Sequence, residues 1–282
     1  MTIARVFPRR TAMTPTDALA FVDCQPPLLL PLEVDEVHIS VAFTWDMEKA
    51  EWLERAWRAV GVPVRMGGPA KSEPGGEFVP GLYVKQGVTI TSRGCPNRCW
   101  FCSVPKREGF KLRELPIRDG WNVIDDNLLA CSEAHIRAVF DMLKRQPERP
   151  VFTGGLEAKI LQPWHVELLR KVKAKRMYFA YDTKDDYEPL MEAGKLLRAG
   201  GIRFASHAAA CYVLIGYPGD TFIAAENRLN ETIWAGFQPY AMLYRDETGQ
   251  SDPQWRKFQR EWLRPEIVGT KMREVAEDFI EA

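Results

Sequence analysis

Cys95, Cys99 and Cys102 fall within eight residues in the spacing C-x3-C-x2-C. A thiolate is a soft metal ligand, and closely spaced cysteine thiolates are the usual holders of iron–sulfur clusters. Three thiolates on one loop can converge on one centre, and a four-iron cube held by three of them leaves one iron open to a small molecule. Two other chemistries use cysteine. A disulfide pair with one thiol left over belongs to oxidising compartments. A zinc knuckle takes a fourth ligand, commonly from a second C-x2-C or a His pair, and neither spacing occurs elsewhere in this chain.

Other residues able to do chemistry are more dispersed. Polar residues and glycines gather at Asp125-Asp126-Asn127, Thr153-Gly154-Gly155, Asp182, residues 216–220 and Arg245-Asp246. Cys131 and Cys211 stand apart from the loop and read first as small buried hydrophobes. The four histidines show no ligand spacing. A basic stretch follows the cysteines over residues 103–120, with Lys106, Arg107, Lys111, Arg113 and Arg118, and it could contact phosphates.

The elements that must position these residues are legible from periodicity. Residues 1–34 read as irregular, broken by Pro8, Pro15, Pro26, Pro27 and Pro31. Residues 36–43 alternate as a strand. Residues 46–60 follow with Trp52, Leu53, Ala56, Trp57 and Val60 at helical spacing, with Thr44 or Asp46 as cap and Gly61 as stop. Residues 62–66 give a second strand, so this is a small βαβ unit with parallel strands. A Gly/Pro-rich linker over residues 70–86 marks a boundary.

From residue 88 strands and helices alternate. Strands are expected at 88–92, 121–129, 150–153, 176–181, 211–216 and 239–244, with helices at 132–146, 164–174, 187–199 and 221–235. Such a run argues an α/β fold with a parallel sheet wrapped by helices, and chemistry at the C-terminal ends of its strands. A final amphipathic helix carries Trp255, Phe258 and Trp262 on one face, read as docking on the fold. The expected organisation is residues 1–84, 85–245 and 246–282.

Composition is permissive. The chain of 282 residues is 46% hydrophobic and balances 38 basic against 38 acidic residues, so net charge does not select a polyanionic partner. No apolar run of membrane-spanning length occurs and the first residues carry no apolar signal segment, so a cytoplasmic protein without a membrane partner is expected.

The run SRGCPNRCWFCS, with Gly94 and Pro96 flanking the first cysteine and Phe101 preceding the third, resembles the cluster loop of the radical SAM superfamily. That resemblance implies a [4Fe–4S] cluster on Cys95, Cys99 and Cys102, with S-adenosylmethionine chelated at the open iron. It implies a partial (β/α)6 barrel over about residues 85–245. It places Phe101 against the adenine and Asp182 on the ribose. The family's Gly-Gly-Glu closes the second strand; here that strand ends in Asp125-Asp126-Asn127, and Gly154-Gly155 follow on the third. The cofactor's amino group would then meet Asp125 or Asp126. The segment IGYPGDT resembles the fifth-strand signature, with Gly216 allowing close approach. Cys131 and Cys211 become candidates for returning a hydrogen atom to a product radical. An electron donor of flavodoxin or ferredoxin type is implied as partner.

In size and organisation the chain is similar to short bacteriophage radical SAM proteins of thymidine hypermodification. These imply an isomerase of DNA modification, turning an N-linked glycine on thymidine into the C-linked form, with DNA as partner. The βαβ unit resembles a cut-down cobalamin-binding domain without its D-x-H-x-x-G motif. A methylthiotransferase or methyltransferase acting on RNA or a small molecule is the second enzyme reading. A non-catalytic iron–sulfur or zinc protein is the reading of another class.

Overall fold

Ile3–Phe7 (β1) is the second strand of a four-stranded sheet, in a segment whose prolines had suggested irregular chain. The computed structural model describes residues 1–30, 33–203 and 207–278; Pro31, read as one of the breakers, lies outside them. The order is β2-β1-β3-β4, with Ala20–Val22 (β2), Glu36–Ser40 (β3) and Val64–Gly67 (β4), all parallel. Five residues are too few to display alternation, so β1 was hidden between Thr2 and Pro8. Pro8, Pro15, Pro26 and Pro27 fall in the loops around it rather than inside it.

Met47–Trp57 (α1) covers one face of this sheet. Ala50, Leu53 and Trp57 pack with Ala4, Val6, Val37, Ile39 and Val41 in one buried cluster. Trp52, assigned to the same stripe, is instead 42% exposed. The proposed caps are also corrected: no side-chain bond caps α1 at Asp46, because Arg9 takes both its oxygens, at 2.8 and 2.6 Å. Gly61 ends the helical stretch in the left-handed region, at φ 83°.

The chain divides into two compact units, Met1–Gly120 with Glu247–Gly249, and Trp121–Asp246 with Gln250–Ala282. The first unit also holds Val88–Thr89 (β5), Ser92–Arg93 (β6), the short helix Val104–Glu108 (α2) and Arg113–Glu114 (β7). β6 and β7 pair antiparallel. The basic stretch 103–120 thus carries one short helix and one two-residue strand, and the rest of it lies outside helix and strand.

In the second unit Asn122–Val123 (β8), Val151–Phe152 (β9), Arg176–Tyr181 (β10), Ala209–Ile215 (β11) and Gln238–Leu243 (β12) are neighbours in chain order, all parallel. Glu133–Lys144 (α3), Pro163–Lys171 (α4), Tyr187–Ala199 (α5) and Phe222–Trp234 (α6) alternate with them. The expected strand 121–129 shrinks to β8, and Leu128–Ala130 is a single 3-10 turn. Ser132 and Thr221 cap α3 and α6 as expected, accepting from the His135 and Ala224 N–H groups. Pro253–Trp262 (α7) buries Trp262 and packs Trp255 against Phe222 in a tilted pair, with ring centroids 4.3 Å apart. The stripe is thus a docking face. A second helix, Pro265–Asp278 (α8), follows. The architecture is α/β with parallel sheets and helices. Among the described residues no helix is long and apolar enough to cross a membrane.

Candidate functional site

The cysteine loop leaves the β6–β7 ladder at Gly94. There φ is 85°, and a Cβ would sit 2.4 Å from the Lys111 carbonyl oxygen, so both backbone shape and space demand glycine. Cys95 and Cys102 are half-buried and Cys99 is exposed. The Cys102 N–H donates to the Cys99 carbonyl at 3.1 Å, which closes a turn between the second and third cysteines. The Val104 N–H, opening α2, donates to Cys102 Sγ at 3.4 Å. Hydrogen bonds to sulfur stabilise thiolate and tune clusters. Phe101 is half-buried and meets Trp100 edge-on, centroids 5.5 Å apart.

Donor type and spacing suit an iron–sulfur cluster. Among the described residues, however, no group of three or more His, Cys, Asp and Glu side chains is drawn together closely enough to hold a metal. Gathering the three sulfurs on one centre therefore requires the loop to adjust, as metal binding commonly drives.

What holds the loop from below was not read from the sequence. Glu108, at the end of α2, has a fully buried side chain. It accepts from the Gly75 N–H at 3.0 Å and meets Arg107 at 3.0 Å, Arg113 at 2.5 Å and Arg93 at 3.4 Å. Burial alone would raise its pKa; the Gly75 N–H and the Arg107 and Arg93 charges outweigh it and hold Glu108 below the usual range. The signal was available, since Glu108 is the first acid after the eight residues of the cysteine loop and directly follows a Lys-Arg pair. Arg107 and Arg113 are thus engaged with a carboxylate, and Arg118 pairs with Glu77 at 2.6 Å.

The second unit brings several expected residues to its strand ends. Asp125 is buried. Gly154 lies against it: a Cβ there would fall 2.2 Å from the Asp125 carbonyl oxygen, so this glycine serves the close approach of two backbones. Gly155 follows at φ 96°. Asn127 donates to Glu157 at 2.6 Å. Asp182, directly after β10, accepts the Leu214 N–H at 3.1 Å. Burial first, and then the neighbouring Asp186 carboxylate, push its pKa up to about 7, against the Leu214 N–H and Arg228.

The turn at residues 216–220 is built by Asp220, which accepts the Gly216 N–H at 2.8 Å and pairs with buried Arg228 at 2.8 Å. Gly216 has φ 71°, and a Cβ on it would meet Leu243 and Trp255, each at 2.9 Å. The close approach it permits here is by those side chains.

The remaining candidates fall away from the strand ends. Cys211 is fully buried, bonds toward Thr232 of α6, and has a thiol pushed well up by burial, which disfavours thiolate. Cys131 is buried at the start of α3, its Sγ 3.9 Å from the Asn127 carbonyl. His165 lies buried in the capping box of α4, and burial lowers its pKa to about 4, so it is neutral. Tyr178, Tyr212 and Tyr240 were missed. Tyr212 and Tyr240 pair directly across β11 and β12, and Tyr178 on β10 lies two residues before that register on the same face; the first two rings, Tyr178 and Tyr212, stack at 4.4 Å and the third is edge-on to both.

Neither a known family model nor a curated protein matches this sequence.

Proposed function

We propose that the chain is a radical SAM enzyme carrying a [4Fe–4S] cluster on Cys95, Cys99 and Cys102. The observation that carries this reading is the C-x3-C-x2-C loop leaving a glycine that the backbone demands, with Cys102 Sγ receiving the Val104 N–H. When bound and reduced, the cluster would cleave S-adenosylmethionine and so supply a carbon radical that takes a hydrogen atom from substrate. The loop's own residues supply three thiolates, a closed Cys99–Cys102 turn, and a Glu108 anchor that fixes the loop's base. Parallel strands in chain order, each joined to the next through a helix, support reading the fold as a partial (β/α)6 barrel. Asp182 is the carboxylate we assign to cofactor hydroxyls. Its Oδ1 is fixed by the Leu214 N–H, which orients the other oxygen.

For the substrate we propose a glycine-modified thymidine in DNA, isomerised from the N-linked to the C-linked form. Abstraction at the glycine α-carbon suits this, because amine and carboxyl both stabilise the resulting radical. Anaerobic reconstitution with iron and sulfide tests the reading. We expect about four irons per chain and release of 5′-deoxyadenosine on reduction with S-adenosylmethionine present. Cys95→Ala, Cys99→Ala and Cys102→Ala should each lose both. A chain that keeps zinc, or that loads iron and yields no 5′-deoxyadenosine, overturns the proposal.

A further inference from the structure

Charge is balanced over the whole chain, 38 against 38, but not around the cysteines. Residues 93–118 hold seven cations (Arg93, Arg98, Lys106, Arg107, Lys111, Arg113, Arg118) against two acids, Glu108 and Glu114, a net of +5. Glu108 is buried and surrounded by arginines, so it offers no negative charge to solvent. Lys106 is 69% exposed beside an 84% exposed Glu247, at 3.5 Å, a pairing too solvated to resist a competing anion. The same stretch exposes two large rings: Trp100 is 57% and Phe110 is 47% exposed. The exposed Arg98 guanidinium lies 4.6 Å over the Phe110 ring.

Rings and cations interleaved on one exposed loop are what unpaired nucleic acid uses, bases on the π-faces and phosphates on the cations. An acidic protein face would use the cations and leave the rings and the Arg98–Phe110 stack unexplained. We propose that Arg98, Trp100, Phe110 and Lys111 form a docking surface for unpaired DNA. The choice of DNA rests on the function proposed above; the preference for unpaired over duplex strands rests on the rings. It also fits chemistry on a base, which must leave the helix stack to be reached.

The test uses the full chain, as purified and after iron reconstitution, with a fluorescein-labelled single-stranded oligothymidylate, the matching duplex and polyglutamate as probes in fluorescence anisotropy. The single strand should bind more tightly than either competitor. Trp100→Ala and Phe110→Ala should each weaken it roughly tenfold. Arg98→Gln and Lys111→Gln should each flatten the dependence of log affinity on log salt by about 0.7. Trp52→Ala, which removes an exposed indole from α1, should change nothing, and circular dichroism confirms that each variant folds. Equal binding of single strand and duplex, unchanged affinity in both ring variants, or polyglutamate bound as tightly would overturn the proposal, the last marking a protein-docking face. Binding needs no reductant and no S-adenosylmethionine. If 5′-deoxyadenosine forms and the strand does not bind, this surface fails and the enzyme reading stands; ring-dependent binding without 5′-deoxyadenosine is the reverse.

Discussion

Glu108 in the first unit and Asp182 in the second are both carboxylates withdrawn from water, and they titrate on opposite sides of the ordinary range. Burial pushes each of them up. Glu108 is brought back below by the Gly75 N–H, by Arg107 of α2 and by Arg93 of β6. Asp182 faces a second carboxylate, Asp186, and keeps its raised pKa of about 7. With burial pushing both acids the same way, their neighbours decide on which side of the ordinary range each one falls. The comparison also separates two ways of holding a loop. Glu108 ties together backbone and side chains up to 33 residues apart, so the base of the cysteine loop depends on one charge. At the end of β11 the ties are short-range: Asp220 reaches Gly216 and Arg228, four and eight residues away.

The largest effect should therefore come from Glu108→Gln. It keeps the size and removes the charge, leaving three arginines crowded without a counterion, and should cost about 3 kcal/mol in urea unfolding. It should also raise tryptic cleavage after Arg98 and Lys106 about tenfold, because local opening exposes the loop. Asp220→Asn breaks a buried pair of similar kind and should lower stability without that local change in cleavage. If both variants open the cysteine loop equally, the contrast between a long-range and a short-range tie is wrong.

The second effect is a pH slope. Asp182 binds its proton more tightly folded than unfolded, with a pKa of about 7 against an ordinary 3.8. Its contribution is present below pH 4 and is lost as pH rises toward 7. With allowance for its partial exposure the loss is on the order of 2 kcal/mol. Asp182→Asn keeps an oxygen for the Leu214 N–H and should flatten that part of the stability profile, ending more stable than the wild type at pH 8. Glu108 has the opposite sign: its lowered pKa contributes stability above the usual carboxylate range, lost as pH falls through its folded value. Acid should loosen the cysteine loop while it firms the strand end, which limited proteolysis across pH 3–8 would separate.

Much of the second unit was legible because its strands and helices are long enough to show a period. β10, β11, β12 and their helices fall where alternation and caps place them. β1 and β8 were misread for the same reason in reverse: at five and two residues they carry no period, and their pairing is set by neighbours distant in sequence. Trp52 shows a related limit, since a large apolar residue at the right spacing can still face solvent. At the candidate site, types and spacings revealed the cysteines and the strand-end acids. They could not reveal that Glu108 gathers three arginines, that Gly154 answers to the Asp125 backbone, or that three tyrosines share one face, since each is a contact made only by the fold.

The smallest effect is the one that calibrates the other two. Thr221 accepts the Ala224 N–H at 3.1 Å and begins α6 from the same turn that Asp220 organises. This bond is neutral, local and partly solvated. Thr221→Ala should cost about 1 kcal/mol, with no slope between pH 4 and 8, because nothing that titrates there loses a partner. Set beside Glu108→Gln and Asp182→Asn, it distinguishes charge from simple loss of a contact. If Thr221→Ala also changes the pH profile, the turn is coupled to Asp182 through Leu214 and Arg228, whose guanidinium bonds both the Leu214 carbonyl and Asp220. The strand-end acids would then act as one network, and the short-range description of that region would have to give way.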